Sequence, residues 1–323
     1  MEFRTEYKPC KSALRLSPRH PVLLIGSCFS ENIGSLMREC LWDARINPCG
    51  TLFNPVSIAT VIRYSIGHGK PDTPWADTGG IWRSWDFPTA MAGESREECE
   101  IKCDEALTAL RKALTDSRLI IVTFGSAFVY NLKESGKTVA NCHKRPSELF
   151  EKRLLTAEEI AGSWIALLRE LRERHSALKV IFTVSPVRHV RDGFAANSLS
   201  KATLRLAVEE ICRQTDAEYF PAYEILTDDL RDYRFYDTDL VHPSETAAAY
   251  IFDKFCGTYL DPEDALLLRQ GEKLSRRCAH RPMTPGSGEA RKFAAATAEM
   301  IALWKENNPE MLIPETLFES LWK

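Results

Sequence analysis

The sequence predicts an α/β fold, a mainly parallel sheet of about five strands covered on both faces by helices and followed by a helical C-terminal extension. Three features predict it. Apolar runs at 22–25 and 119–124 each end in a glycine followed by serine, the pattern of a buried strand entering a tight turn. Segments with helical spacing of apolar residues separate such runs, as parallel crossovers require. Beyond about residue 261 the strand-like runs stop and only helical stripes remain.

In chain order, residues 1–20 are polar, contain Pro9 and Pro18, and read as a lead-in over the surface. The strand at 21–26 feeds a helix at about 30–41 with Ile33, Leu36, Met37 and Leu41 on one side. A short strand at 45–47 runs into a stiff loop with two Asn-Pro pairs and Gly50. Asn54 is placed to cap a helix over 56–66, with Pro55 in its first turn. Residues 67–93 hold five Gly, three Pro and three Trp and read as an irregular excursion, with a short strand at about 81–87. A helix from about 94 to 115 precedes the third strand at 118–124. The segments 128–132 and 138–142 flank Glu134-Ser135-Gly136-Lys137 and predict a hairpin. Thr156-Ala157-Glu158-Glu159 is a capping box that opens a helix with Ile160, Trp164, Leu168 and Leu171 inward. The fourth strand, 179–184, stops at Ser185-Pro186; a helix with Leu204, Val208 and Ile211 on one side and a brief fifth strand at 217–220 follow. This gives one domain over 1–260 and a helical extension over 261–323, the latter with stripes Leu267, Gly271, Leu274, Cys278 and Phe293, Ala296, Met300, Leu303.

Composition narrows the function classes. The chain has 323 residues, 44% hydrophobic and 27% charged, with a formal net charge of −3. Without a basic excess, neither nucleic acid nor an anionic membrane surface is the expected partner. No apolar run reaches the roughly 18–20 residues that span a bilayer, and the first residues lack a signal-peptide core, so a cytoplasmic location is expected. Ten cysteines are scattered without a CxxC pair, which argues for a reducing compartment, small buried thiols and no metal site. No Walker or Gly-x-Gly-x-x-Gly loop is present, and no cofactor is expected. Nothing in the sequence sets the oligomeric state.

Two motifs carry chemistry. The first is Gly26-Ser27-Cys28 after the first strand, where a turn at the carboxyl edge of a sheet exposes a side chain to ligands. Ser27 and Cys28 are both nucleophile candidates, and a helix N-terminus favours a thiolate. The second is Asp239-Leu240-Val241-His242, with Pro243 placed to start the following helix. Asp-x-x-His on a turn lets the carboxylate hold the imidazole Nδ1 proton and leaves Nε2 free as a base. His143 and His189, each beside a basic residue after a strand, are candidates to face the cleft, and Arg188 to bind a phosphate or carboxylate. Arg191, Lys201, Arg231 and Arg234 read mostly as a solvated face.

The order of these motifs resembles the SGNH (GDSL-type) hydrolases. The local text is similar to the GSCFA family over about residues 20–260: Gly26-Ser27-Cys28-Phe29-Ser30, Asn47-Pro48-Cys49-Gly50-Thr51, Asn141-Cys142-His143-Lys144, Val184-Ser185-Pro186-Val187-Arg188-His189, Ser200-Lys201-Ala202 and Asp239–Ser244. The resemblance implies a three-layer αβα sandwich with a flavodoxin-like sheet and an acyl hydrolase or acyltransferase acting on an ester or thioester, including one on a carbohydrate. It places Cys28, rather than Ser27, at the nucleophile's position, with His242 as base and Asp239 orienting it. The oxyanion hole would draw on the amides of Cys28 and Gly50 and on an Asn shortly after Gly125. Here the chain departs, because Ala127 stands at that Asn; Ser126, Asn54 and Asn141 are the available substitutes. Losing such a donor costs roughly 10²–10³ in turnover. The departure opens a different reading, a non-catalytic carbohydrate or acyl-ligand binding module on the same fold. A third is a scaffold assembled through the C-terminal helices.

Overall fold

Apolar residues alternate along the central strands, and each parity packs against a different layer of helices. The computed structural model describes residues 4–284 and 286–311. In β1 (Val22–Gly26), Leu23 and Ile25 join one core while Val22 and Leu24 join the other. The same split divides Ile120, Val122 and Phe124 from Leu119 and Ile121 in the third long strand. A period of two buried on both sides is what a sheet covered by two helical layers demands.

The central sheet has five parallel strands. With β2 (Ala44–Ile46), the two-residue strands β3 (Trp75–Ala76) and β4 (Trp82–Arg83), β5 (Leu119–Phe124), β6 (Phe128–Leu132), β7 (Thr138–Val139), β8 (Phe150–Leu154), β9 (Lys179–Val184) and β10 (Glu218–Tyr219), its order is β10-β9-β5-β1-β2. This is the flavodoxin-like order, and the architecture is a three-layer αβα sandwich. β6 pairs antiparallel with β7 and, on its other edge, with β8, so the predicted two-stranded segment belongs to a three-stranded sheet.

Helices α1 (Cys28–Glu39), α2 (Pro55–Ser65), α3 (Arg96–Asp116), α4 (Ala157–Arg174) and α5 (Phe194–Gln214) connect the strands. A short α6 (Ala222–Glu224) runs into a π-helical turn to Leu230, and α7 (Glu245–Tyr259) closes the second face. One core is built from α2 to α5 and centres on Trp164, whose ring meets Phe124 and Phe182 edge-on and whose Nε1 donates to Pro55 O at 3.1 Å. The other joins α1 and α7 through Phe29, Ile33, Met37, Ile251 and Phe255. The lead-in lies along α7, where Ser12 and Leu16 amides donate to Thr258 and Tyr259 carbonyls.

Two boundaries differ from expectation. α1 begins at Cys28, not near residue 30, because Ser27 is its N-cap. α7 begins at Glu245 with Ser244 as cap, so Pro243 precedes the helix and instead bridges Tyr236.

The extension forms α8 (Pro262–Ala279) and α9 (Gly288–Asn307). α8 buries the expected Leu267, Gly271, Leu274 and Cys278, and Gly271 lies so close to α1 that a Cβ would stand 2.4 Å from Cys40 O. α9 presents a different face from the predicted stripe: Thr297, Ile301 and Trp304 are buried while Met300 and Leu303 are exposed. The Thr297 hydroxyl donates to Phe293 O and accepts from Arg277 Nε, so this polar residue goes inside at little cost. Residues 312–323 of the predicted extension lie outside the described residues. Among the described residues, no helix is long and apolar enough to cross a membrane.

The tightest approach in the sheet is at Gly26, with φ at +135° and the Thr123 carbonyl 2.1 Å from where a Cβ would be. No side chain fits there. Gly26→Ala should lower unfolding free energy by roughly 3 kcal/mol or more, read as the urea midpoint; a change within 1 kcal/mol would contradict this packing.

Candidate active site

The ends of β1, β2, β5 and β9 meet at one edge of the sheet, and the loops leaving them are cross-linked chiefly through backbone groups. The Gly26 amide donates to Asn47 Oδ1 at 2.9 Å, and Gly26 O accepts from the Leu52 amide at 2.9 Å. The Gly125 and Ser126 amides both donate to Phe53 O, at 2.8 and 2.9 Å. The excursion before α3 abuts the same edge, with Pro88 packed onto Gly50.

Ser27 and Cys28 are set apart by the helix they begin. Ser27 is 1% exposed, and its hydroxyl accepts from the Phe29 amide at 3.3 Å as the cap of α1. Cys28 occupies the first helical position and is half-buried. Burial pushes its thiol pKa up, with Glu31 adding to the rise; the amides of Cys28 and Phe29 and the charge of Lys201 act the other way. Desolvation therefore outweighs the helix terminus that favours a thiolate, and the thiol rests protonated.

The Asp239–His242 pair closes as its spacing requires. Asp239 Oδ2 lies 2.6 Å from His242 Nδ1, while Oδ1 accepts the amides of Val241 and His242 at 2.8 and 2.9 Å. These bonds, led by that from the His242 amide, bring the Asp239 carboxyl down to about 2. The imidazole is thus held through Nδ1, and Nε2 is the open nitrogen. The side chains of His242 and Asp239 are 43% and 49% exposed, so the pair faces solvent. Its loop rests on the one after β9: the Arg188 amide donates to Val241 O at 3.3 Å, and the guanidinium stacks on Tyr236 and Tyr233. Arg188 braces this loop through cation–π contacts.

His189 Nε2 donates to Gly125 O at 3.1 Å, and its ring meets Phe53 edge-on. Burial, reinforced by Lys201 and more weakly by His242, pulls its pKa down to about 4.

The remaining predicted donors are committed to structural bonds. The Gly50 amide donates to Asn47 O at 2.7 Å. Asn54 caps α2, accepting from the Ser57 amide at 2.8 Å. Asn141 Oδ1 accepts from the His143 amide. His143 is buried against Trp75 and Trp85, with Nε2 donating to Ser84 O at 2.8 Å, so it fastens the excursion to the body. Ser126 Oγ accepts from the Phe128 amide at 3.0 Å. Ala127 is fully buried and its amide donates to Ser200 Oγ at 2.8 Å.

Lys201, expected on a solvated face, is 2% exposed. Its Nζ donates to Gly125 O and Ser185 O, both at 2.7 Å. Burial pulls its pKa down to about 7, opposed by the charge of Cys28. The signal was in the spacing: Lys201 stands three before Leu204 and seven before Val208, on the apolar stripe of α5. Among the described residues, no group of three or more His, Cys, Asp and Glu gathers as a metal site would need.

A neutral His189 at ordinary pH follows from its burial. Its folded pKa lies below that of the unfolded chain, so the unfolded chain binds more protons between about 4 and 6.5, and stability falls as pH drops through that window. Nitrogen-15 NMR should show His189 neutral at pH 6 with a midpoint near 4, and His189→Gln should flatten the acid side of the stability curve; a midpoint at the unperturbed value near 6.5 would contradict it.

No curated protein matches the chain. Among solved structures, a carbohydrate esterase family 2 enzyme with a carbohydrate binding domain from Corynascus thermopiles (Myceliophthora fergusii) is similar at 9% identity and a TM-score of 0.39, over 80% of this chain and 69% of that one. The profile of the GSCFA family matches residues 21–255. The chain belongs to the GSCFA family.

Proposed function

We propose that this protein is an acyl hydrolase or acyltransferase acting on an ester or thioester, with Cys28 as nucleophile and His242 as general base. The observation that carries this reading is the Asp239–His242 bond, a saturated carboxylate holding Nδ1 and leaving Nε2 open. Cys28 stands at the end of β1, and the His242 loop rests on the loop that follows β9 at the same edge. A thiol whose pKa is raised by burial needs a proton acceptor, which is the task of Nε2.

In this reading His242 Nε2 takes the thiol proton as Cys28 Sγ bonds to the acyl carbon. The carbon–oxygen or carbon–sulfur bond to the leaving group breaks, and the leaving group carries off the proton from His242. Water or a second alcohol then attacks the thioester on Cys28, giving its proton to His242, and the thiol is regenerated. Asp239 keeps the imidazole in one tautomer and balances the imidazolium.

A specific observation favours the second reading, a non-catalytic carbohydrate or acyl-ligand module: the amides of Gly50, Gly125 and Ser126 are already bonded within the protein, and Ala127 has no donor. The Cys28 and Phe29 amides, which lean on the Cys28 sulfur, are the donors left to an oxyanion.

Incubation with a thiol- and hydroxyl-reactive acyl probe, followed by peptide mapping, separates the readings. Label should appear on Cys28, vanish in Cys28→Ala, persist in Ser27→Ala, and slow by roughly 10²–10⁴ in His242→Ala. Ser27→Ala should instead cost about 1 kcal/mol of stability as a lost helix cap. Label that survives both Cys28→Ala and Ser27→Ala would overturn the enzyme reading.

A further inference from the structure

Lys201 is a buried cation held only by carbonyl groups. Its Nζ bridges Gly125 O and Ser185 O, and among the described residues no carboxylate forms an ion pair with it. Burying an ammonium without a counter-charge is costly, and a leucine at this stripe position would pack without that cost. The lysine therefore does something an apolar residue would not.

Its position says what. The strands run β9-β5-β1 side by side, with Gly26 in register with Thr123 and Thr123 with Thr183. Gly125 and Ser185 are the first residues past β5 and β9, and Cys28 follows β1 at the same edge. The neighbouring Ser200 holds the Ala127 amide, so two consecutive residues of α5 fix the turn after β5. An ammonium has three N–H groups, and two are committed to the carbonyls. Lys201 and Cys28 each feel the charge of the other.

We infer that Lys201 is a positioning residue for Cys28: it clamps the Gly125 and Ser185 carbonyls at the sheet edge and supplies the positive charge that offsets negative charge forming at Cys28, a duty Ala127 has no side chain to perform. This rests on the reading of Cys28 as the group that carries the acyl chemistry. The charge acts through space on the thiol; no bond to Lys201 forms or breaks.

The test reads the thiol and not turnover. The pH dependence of Cys28 alkylation by iodoacetamide, followed on the Cys28 peptide, is compared in wild type, Lys201→Met and Lys201→Arg. In Lys201→Met the midpoint should rise by about one unit, so that alkylation at a fixed pH below it slows about tenfold, while Lys201→Arg restores it at least in part. An unmoved midpoint in a Lys201→Met protein with native near-UV circular dichroism would overturn the inference. Should Lys201→Met fail to fold, the reciprocal measurement decides: the Lys201 midpoint, followed by lysine side-chain NMR, must fall in Cys28→Ala, because coupling between two sites acts equally on both. Equal Lys201 midpoints in the two proteins would overturn it. Acyl labelling that is absent while this coupling is present would defeat the proposed function and leave the Lys201–Cys28 link standing. Normal labelling without the coupling would defeat the link alone.

Discussion

The organisation of the site depends on one close approach, the Gly26 backbone lying against the Thr123 carbonyl of the neighbouring strand. Because nothing projects from Gly26, the chain can turn at once, bond the Ser27 amide to Thr123 O at 3.1 Å, and begin α1 with Cys28. The same glycine offers its amide to Asn47 and its carbonyl to Leu52, which ties the loop after β2 to the end of β1. Phe53, one residue further on, then holds the turn after β5. A few backbone hydrogen bonds thus make the carboxyl edge of the sheet a single rigid rim, the place where open α/β sheets present side chains to ligands.

Charge is distributed along that rim in a particular way. The interior carries one buried ammonium at Lys201 and a neutral imidazole at His189, both donating to Gly125 O. The ion-pairing capacity sits outside, on the solvent-facing Asp239–His242 turn. Cys28 lies between these environments. Burial keeps its thiol protonated, so the proton has to be taken by an acceptor and the resulting charge offset by a cation. His242 and Lys201 have complementary properties for these two tasks: one has an open nitrogen, the other a fixed charge behind the sheet edge.

Much of the fold was legible in the sequence, because buried parallel strands and amphipathic helices leave strong periodic signals. The Thr156 capping box, the Asn54 cap and the stripe on α8 are all where their patterns place them. The failures have physical causes. α9 was assigned the wrong face because Thr297 looks polar in the sequence, whereas its hydroxyl is satisfied by its own helix and by Arg277. β8 escaped notice because Glu151, Lys152 and Arg153 are charged residues on an edge strand, where no alternation with a buried core is enforced. Within the site, the Asp239–His242 contact follows from local spacing. The commitments of Gly50, Asn54, Asn141 and His143 to internal bonds depend on partners far along the chain or on loop geometry, which spacing does not encode. Lys201 carried a readable anomaly, a lysine on an apolar stripe, that only its partners Gly125 and Ser185 turn into a role.

The central claim is that the rim places a protonated thiol and an oriented imidazole in one acyl-transfer site. Rapid mixing with an activated thioester, acid quench and intact-mass analysis tests it most directly. The account predicts a transient gain of one acyl group per chain, borne by Cys28, whose formation is slowed in His242→Ala. An acyl group on another residue, or accumulation on Cys28 at the same rate with and without His242, would contradict it.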